Sequence, residues 1–326
     1  MMQISRILIA TVASLSIANV AAGQRLRVEQ TTDTIVVSQD GHEVLTYNKR
    51  SPQVPAGIDP VYARSGCLHP LRSPQGRSVT AMFPFDHPHQ HGIFSAWVKT
   101  TYDGQAVDFW NFARSTGRVF HERVVRVFDE QDTAGFEVDL IHRAQAKEPV
   151  DVLRERWRIT VHATEGDFHC FDLETRQSAL TDKPLVVNKY HYGGIALRGP
   201  TRWLTSEDRT IRELADHVNA PSGFLNDLGS NRIEGNHQRA KWVALWGNIE
   251  GRAVNVAVLS HKNNFRAPQP ARLHPTKPYF CFAPCVDDAF IIDQDHPYVG
   301  KYRYLIADTM PDPERIQQQW DTWCAP

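Results

Sequence analysis

Between Val152 and Ala163 the apolar residues Trp157, Ile159, Val161 and Ala163 alternate with Arg156, Arg158, Thr160 and His162. In an extended chain every second side chain shares a face, so this stretch can bury one face and wet the other only as a β-strand. So long a half-buried strand needs antiparallel neighbours and a second layer over its apolar side. The neighbours are close in sequence. A turn through Glu165-Gly166-Asp167 leads into an expected strand over 168–178, and Val124–Phe128 with Phe136–His142 reads as another pair. Thr34–Ser38 and Glu43–Tyr47 flank Asp40-Gly41, a strong hairpin signal. Ala253–Leu259 is more continuously apolar, as a strand at the centre of a sheet should be.

Helical signals are few. Ser206–Val218 has room for a short helix. At the C-terminus Asp312 can cap, Pro313 suits the first helical position, and Ile316, Trp320 and Trp323 form a stripe at helical spacing. There is no internal repeat, and the one linker-like stretch is the Pro/Gly-rich 51–76. These patterns predict a mostly β fold: a single large antiparallel β-sandwich over 24–326 with a short C-terminal helix. A (β/α) barrel lacks its helices.

Residues 1–23 read as a secretory signal peptide: Arg6, an apolar run from Ile7 to Ile17, then Ala18, Ala21 and Ala22 before Gly23. That run is shorter than the roughly 20 residues a spanning helix needs. No later segment spans better, which predicts an exported protein, periplasmic or extracellular, without a membrane span. Lys and Arg number 36 against 37 Asp and Glu, so the chain offers no electrostatic footprint for nucleic acid. Five cysteines, Cys67, Cys170, Cys281, Cys285 and Cys324, cannot all pair. Their spacing is neither a disulfide framework nor a zinc site, so buried thiols or one disulfide are expected.

The chain carries 15 histidines, and several cluster. In Asp86-His87-Pro88-His89-Gln90-His91-Gly92 an extended backbone would turn His87, His89 and His91 to one face. Three imidazoles there could hold Zn, Cu or Fe, with Asp86 as ligand or support, or could act as acids and bases near neutrality. Pro88 favours an edge or a loop. A second segment, Asn188-Lys189-Tyr190-His191-Tyr192-Gly193-Gly194, pairs Lys189 with His191 on one face, and its glycines permit close approach to a ligand or a strand. A third runs from His261 through Asn264, Phe265 and Arg266 to Arg272, His274 and Pro275, beyond an apolar strand, where loops often carry sites. Its Asn and Arg side chains suit a hydroxyl-rich or anionic ligand. Nucleophile-elbow, P-loop, Rossmann and H-E-x-x-H motifs are all missing.

The His-rich motif, Asp108-Phe109-Trp110-Asn111, His191-Tyr192-Gly193-Gly194 and Asn264-Phe265-Arg266 through His274-Pro275 together resemble the "PmoA-like" family of unknown function. That family is found among exported proteins, often of polysaccharide-degrading bacteria, and the likeness runs over about residues 27–323. His91 stands where the family commonly has Arg. The label refers to a multi-span methane monooxygenase subunit, and a chain with no spanning segment after residue 23 excludes that activity. The family is similar in fold to large β-sandwich sugar enzymes of the mutarotase and polysaccharide-lyase kind.

The resulting expectation is a carbohydrate-active enzyme of lyase or isomerase/epimerase type acting on a small sugar or an oligosaccharide. His89 or His191 would be its base, and Tyr192 or Lys189 its proton donor. Asp86, His87, His91, Asn264, Arg266, Arg272 and His274 would bind substrate. A single carboxylate in the His-rich motif fits this chemistry better than glycoside hydrolysis, which needs two. The alternatives are a non-catalytic sugar-binding module and a metal-dependent oxidoreductase with His87, His89 and His91 as ligands, joined by His191 or His261.

Overall fold

The computed structural model of the chain describes residues 25–165, 167–213 and 220–325. The expected leader and the end of the Ser206–Val218 segment lie outside them. The strands in chain order are β1 (Leu26–Gln30), β2 (Thr34–Gln39), β3 (His42–Asn48), β4 (Cys67–Leu71), β5 (Ile93–Ala96), β6 (Thr100–Tyr102) and β7 (Gln105–Val107). Next come β8 (Gly117–Asp129), β9 (Thr133–Ala144), β10 (Val150–His162), β11 (Phe168–Ala179), β12 (Leu185–Val187), β13 (Gly194–Arg198) and β14 (Ser222–Asn226). The last are β15 (Trp242–Ile249), β16 (Arg252–Ser260), β17 (Ala271–Leu273), β18 (Tyr279–Phe282), β19 (Phe290–Ile292) and β20 (Tyr298–Ala307), before helix α1 (Pro313–Trp323).

Two eight-stranded antiparallel sheets face each other. The first has the order β1-β2-β3-β4-β5-β13-β18-β17 and the second β14-β15-β16-β20-β11-β10-β9-β8. A small third sheet, β19-β12-β6-β7, accompanies them. The alternating stretch is β10: Trp157, Ile159 and Val161 are fully buried, while Arg158 is exposed. Each such apolar side chain contributes about 1.5–3 kcal/mol by leaving water. Tyr47 of β3 touches Phe136 of β9 (ring centroids 5.2 Å apart), and Phe282 of β18 stacks on Tyr302 of β20 at 5.7 Å, so one core joins the layers. The apolar strand β16 lies between β15 and β20, inside its sheet.

Some polar groups also lie in this interior, each with partners, as burial requires. Glu155 accepts from His142 Nε2 (2.6 Å), Trp157 Nε1 (2.7 Å) and Thr175 Oγ1 (2.6 Å). Trp97 Nε1 donates to Gln177 Oε1 at 2.6 Å, and Gln177 Nε2 donates to Ser95 Oγ at 3.2 Å. Because Ser95 reaches the second sheet, its cross-strand partner Ile195 and then Phe282 also point inward. Phe94, Ala196, Arg198, Tyr279, Cys281 and Arg272 therefore line the opposite, outer face of the first sheet.

Of the expected helices, Ser206–Val218 yields a 3-10 turn over Arg209–Glu213 within its described part. Helix α1 forms as read, with the Asp312 side chain accepting from the Arg315 N–H at 3.1 Å. Its Ile316, Trp320 and Trp323 cover Trp242, Leu259 and Leu305 on the outside of the second sheet. All five cysteines are buried as free thiols, so the single-disulfide alternative does not hold.

Candidate active site

The His-rich segment is not a strand. The N–H of His87 donates to Pro84 O (3.0 Å) and the N–H of Gln90 to His87 O (2.9 Å), two successive turns that suit Pro88. The chain then re-enters the first sheet at Gly92, with φ +59°. A β-carbon there would sit 2.1 Å from Leu68 O, so only glycine passes. Turns break the period of two. His87 and His89 reach a cleft over the outer face of the first sheet, with ring centroids 5.3 Å apart. His91 instead points into the core between Phe83 and Phe94, where its Nε2 donates to Tyr62 O at 3.0 Å. Burial pushes its pKa far down.

Three other segments complete the cleft, whose volume is about 230 Å³. That is below the roughly 300–1,000 Å³ of pockets for drug-sized molecules and suits a ligand of one ring. The Asp108 carboxylate accepts from the N–H groups of Trp110 (2.8 Å) and Asn111 (3.0 Å), an Asx turn that holds both side chains at the wall. Asn111 Oδ1 accepts from the Tyr192 hydroxyl at 3.4 Å. His191 and Tyr192 enter from the segment before β13, while Arg272, His274 and Tyr279 enter from β17, its end and the start of β18. The close approach allowed by Gly194 is to a strand: its β-carbon would lie 2.6 Å from Phe282 O.

Beneath this wall lies a buried ion network. Asp86, with its side chain fully covered, takes two bonds from Arg198 (2.7 and 2.8 Å) and one from His87 Nδ1 (3.2 Å), with Lys277 Nζ at 3.5 Å. Burial opposes ionisation of Asp86. The hydrogen bonds from His87 and Arg198 and the charges of Arg198 and Lys277 outweigh it and hold the carboxyl far below its usual range. Arg198 also binds Gln90 Oε1 at 2.8 Å, fastening the His-rich loop to β13. Lys277 is engaged mainly by Asp208 at 2.8 Å.

The histidine tautomers follow from these contacts. Asp86 can only accept, so the hydrogen between the two groups sits on His87 Nδ1 and Nε2 lies on the far side of the ring. His274 is the reverse: its Nδ1 accepts from the N–H groups of Thr276 (3.2 Å) and Lys277 (3.1 Å), so its Nε2 carries the hydrogen. The two rings lie 6.2 Å apart. Burial, then the charges of Arg272 and Lys277, brings the His274 pKa down to about 3. Burial and neighbouring His87 bring His89 to about 3. Both rings are neutral near pH 7. Burial also raises the Tyr192 hydroxyl, which stays protonated.

Of the expected site residues, His87, His89, His191, Tyr192, Arg272 and His274 thus meet at the cleft, with Asp86 beneath them. The others do not. Lys189 is exposed and away from the wall. Asn264 is a buried strut, donating to Ser260 Oγ (2.9 Å) and Lys301 O (2.8 Å). Arg266 ties its loop to Pro284 O and Asp288 O at 2.7 Å each. His261 stacks edge-on against Trp323 at 4.9 Å, beside α1. With His91 and His261 elsewhere, the proposed metal trio is not assembled. Among the described residues no group of three or more His, Cys, Asp or Glu side chains is placed to hold one ion. Gln90, Trp110, Asn111 and Tyr279 were not singled out as site residues. The signal for two of them was the Asp108 turn, which aims the residues that follow it.

A family model described as "Family of unknown function (DUF6807)" matches residues 34–321. The chain belongs to this family. The match carries no function and does not confirm the PmoA-like name. No curated protein matches the chain. Among solved structures the chain is similar to one named "Putative kojibiose phosphorylase from human microbiome", with 7% identity and a TM-score of 0.35. The likeness covers 92% of this chain and 32% of that one, so the chain spans about a third of that protein's length. No helix among the described residues is long and apolar enough to cross a membrane.

Proposed function

We propose that this family member is an exported carbohydrate-active enzyme of the lyase or isomerase/epimerase kind, which removes a proton from carbon in a bound sugar. The observation that carries this reading is the opposed pair of histidines. His87 presents a lone pair on Nε2, held in that tautomer by Asp86, and is the general base. His274, 6.2 Å away, presents an N–H from a neutral ring and stabilises the oxygen on which charge develops, without giving up its proton. Arg198 takes up most of the Asp86 charge, so Asp86 is a positioning residue. His89, His191 and Tyr192 complete the polar wall, while Gln90, Asn111 and the rings of Trp110 and Tyr279 suit the hydroxyls and C–H face of a sugar.

Glycoside hydrolysis by two carboxyl groups is disfavoured, because among the described residues no Asp or Glu lines the cleft. The test is exchange of sugar C–H for deuterium in heavy water, followed by NMR and by mass spectrometry for elimination products. His87→Gln should lower the rate about 10²–10⁴-fold, and His274→Ala should lower kcat more than it changes binding. Full rates in both variants would refute the assignment. The same aromatic and amide wall also supports a second reading, a sugar-binding module. That reading predicts saturable binding with no exchange and no product.

A further inference from the structure

We infer that the sugar carries a carboxylate, and that Arg272 is the residue that selects it. Around the cleft, cations and carboxylates pair off: Asp86 with Arg198 and Asp208 with Lys277. Arg272 is left on the wall with no acidic partner among the described residues. Its NH1 is fixed by Asn236 Oδ1 at 2.8 Å and by its neighbour Leu273 O at 3.0 Å. Those two bonds immobilise the guanidinium but leave its Nε–NH2 edge without a partner among the described residues. That edge offers two parallel N–H bonds, the geometry that grips a planar carboxylate. His274, two positions on, adds an N–H directed by the backbone bonds at its other nitrogen. The ordering of these donors before a ligand arrives is what a site for a fixed anion requires.

The choice of carboxylate over phosphate rests on the proton-transfer reading. A base such as His87 can remove a C–H proton when the electron pair has somewhere to go, and an adjacent carboxylate accepts it as an enediolate. In an elimination the C–H proton goes to His87 Nε2 and its electron pair goes to the carboxylate. The pair then returns to form a C=C bond as the β C–O bond breaks, and the departing oxygen takes the proton back from the His87 imidazolium. Arg272 and His274 hold the enediolate oxygens throughout. Nothing is oxidised or reduced and no further reactant is needed.

The test is calorimetric titration of the full chain with three methyl glycosides and their disaccharide counterparts: a uronate, its neutral parent hexose and the hexose 6-phosphate. The uronate should bind about ten- to a hundredfold more tightly than the neutral sugar, as expected for a charged hydrogen-bonded contact. Arg272→Gln should abolish that preference, weakening uronate binding by about ten- to a hundredfold more than binding of the neutral sugar. Arg272→Lys, which keeps the charge and loses the edge, should fall between. Equal binding of acid and neutral sugar, preference for the phosphate, binding of none of the six, or a preference that survives Arg272→Gln would each overturn the inference. Arg272-dependent uronate binding without deuterium exchange would leave the ligand class standing and sink the reaction. His87-dependent exchange on a neutral sugar would do the opposite.

Discussion

Replacing Arg198 by Leu would strand the Asp86 carboxylate. It would lose the bonds of 2.7 and 2.8 Å and keep only His87 at 3.2 Å and Lys277 at 3.5 Å, the latter committed to Asp208. A buried carboxylate without its partner escapes the cost of its charge by taking up a proton. With an ordinary carboxyl pKa near 4, protonation at pH 7 costs about 4 kcal/mol, since each pH unit is worth about 1.4 kcal/mol. Breaking a buried pair typically costs about 3–5 kcal/mol, so the variant should lose about 3–4 kcal/mol at pH 7. The sign of the pH dependence follows from proton counting. In the native protein Asp86 is ionised in both folded and unfolded states above pH 4, so it adds no slope there. In the variant the folded state binds one proton more than the unfolded state, so stability rises as pH falls. The deficit should shrink by about 1.4 kcal/mol per pH unit between pH 7 and pH 4. Urea unfolding followed by tryptophan fluorescence at pH 7, 6 and 5 measures it. Arg198→Leu combined with Asp86→Leu should recover most of the loss and remove the slope. A deficit below about 1 kcal/mol, or one that ignores pH, would refute the account of this network.

Glu155 is one of several acid-sensitive groups of the interior, with Asp86, Asp139 and Asp172. Burial opposes its ionisation, but the bonds from His142, Thr175 and Trp157 hold its pKa at about 2. Its contribution is present above about pH 4.5, on the order of 3 kcal/mol, and is lost as pH falls toward 2, so Glu155→Gln should make stability fall less steeply over that window in urea titrations, with the slope of the other buried carboxylates remaining. Burial raises the thiols of Cys67, Cys170 and Cys285 to about 12 and that of Cys281 to about 11. The folded protein at pH 8 should therefore leave these four unmodified by a thiol-specific disulfide reagent, and the denaturant-unfolded chain should expose all five cysteines. Asp312→Ala should cost about 1 kcal/mol in the urea midpoint through loss of the α1 cap, with no change in sugar affinity.

The strands were legible because their periodicity is local: the alternation in β10, the Asp40-Gly41 hairpin and the apolar run of β16 each need only neighbouring residues to be interpreted. The cleft was legible in its parts, since three of its four segments carry the motifs at His87, His191 and Arg272. What failed was orientation outside regular structure. A period of two applied to 87, 89 and 91 assumes an extended backbone, and the turns at Pro84 and His87 rotate His91 into the core. Asn264 and Arg266 have the chemistry of ligand contacts, yet their hydrogen bonds hold the fold together: Asn264 reaches Ser260 Oγ and Lys301 O in β20, and Arg266 reaches the carbonyls of Pro284 and Asp288. Arg198 was missed for a related reason. It closes the apolar strand β13, and its partner lies 112 positions earlier, at Asp86.

The cleft draws on segments running from His87 to Tyr279, so the unfolded chain possesses no part of it. Occupancy and folding are then linked by mass action: whatever binds the cleft must raise the resistance of the whole sandwich to heat. At a hundred times its dissociation constant a ligand adds about 2.7 kcal/mol, a shift of several degrees in a domain this large. A melting survey of sugars can therefore find the natural ligand before any reaction has been observed.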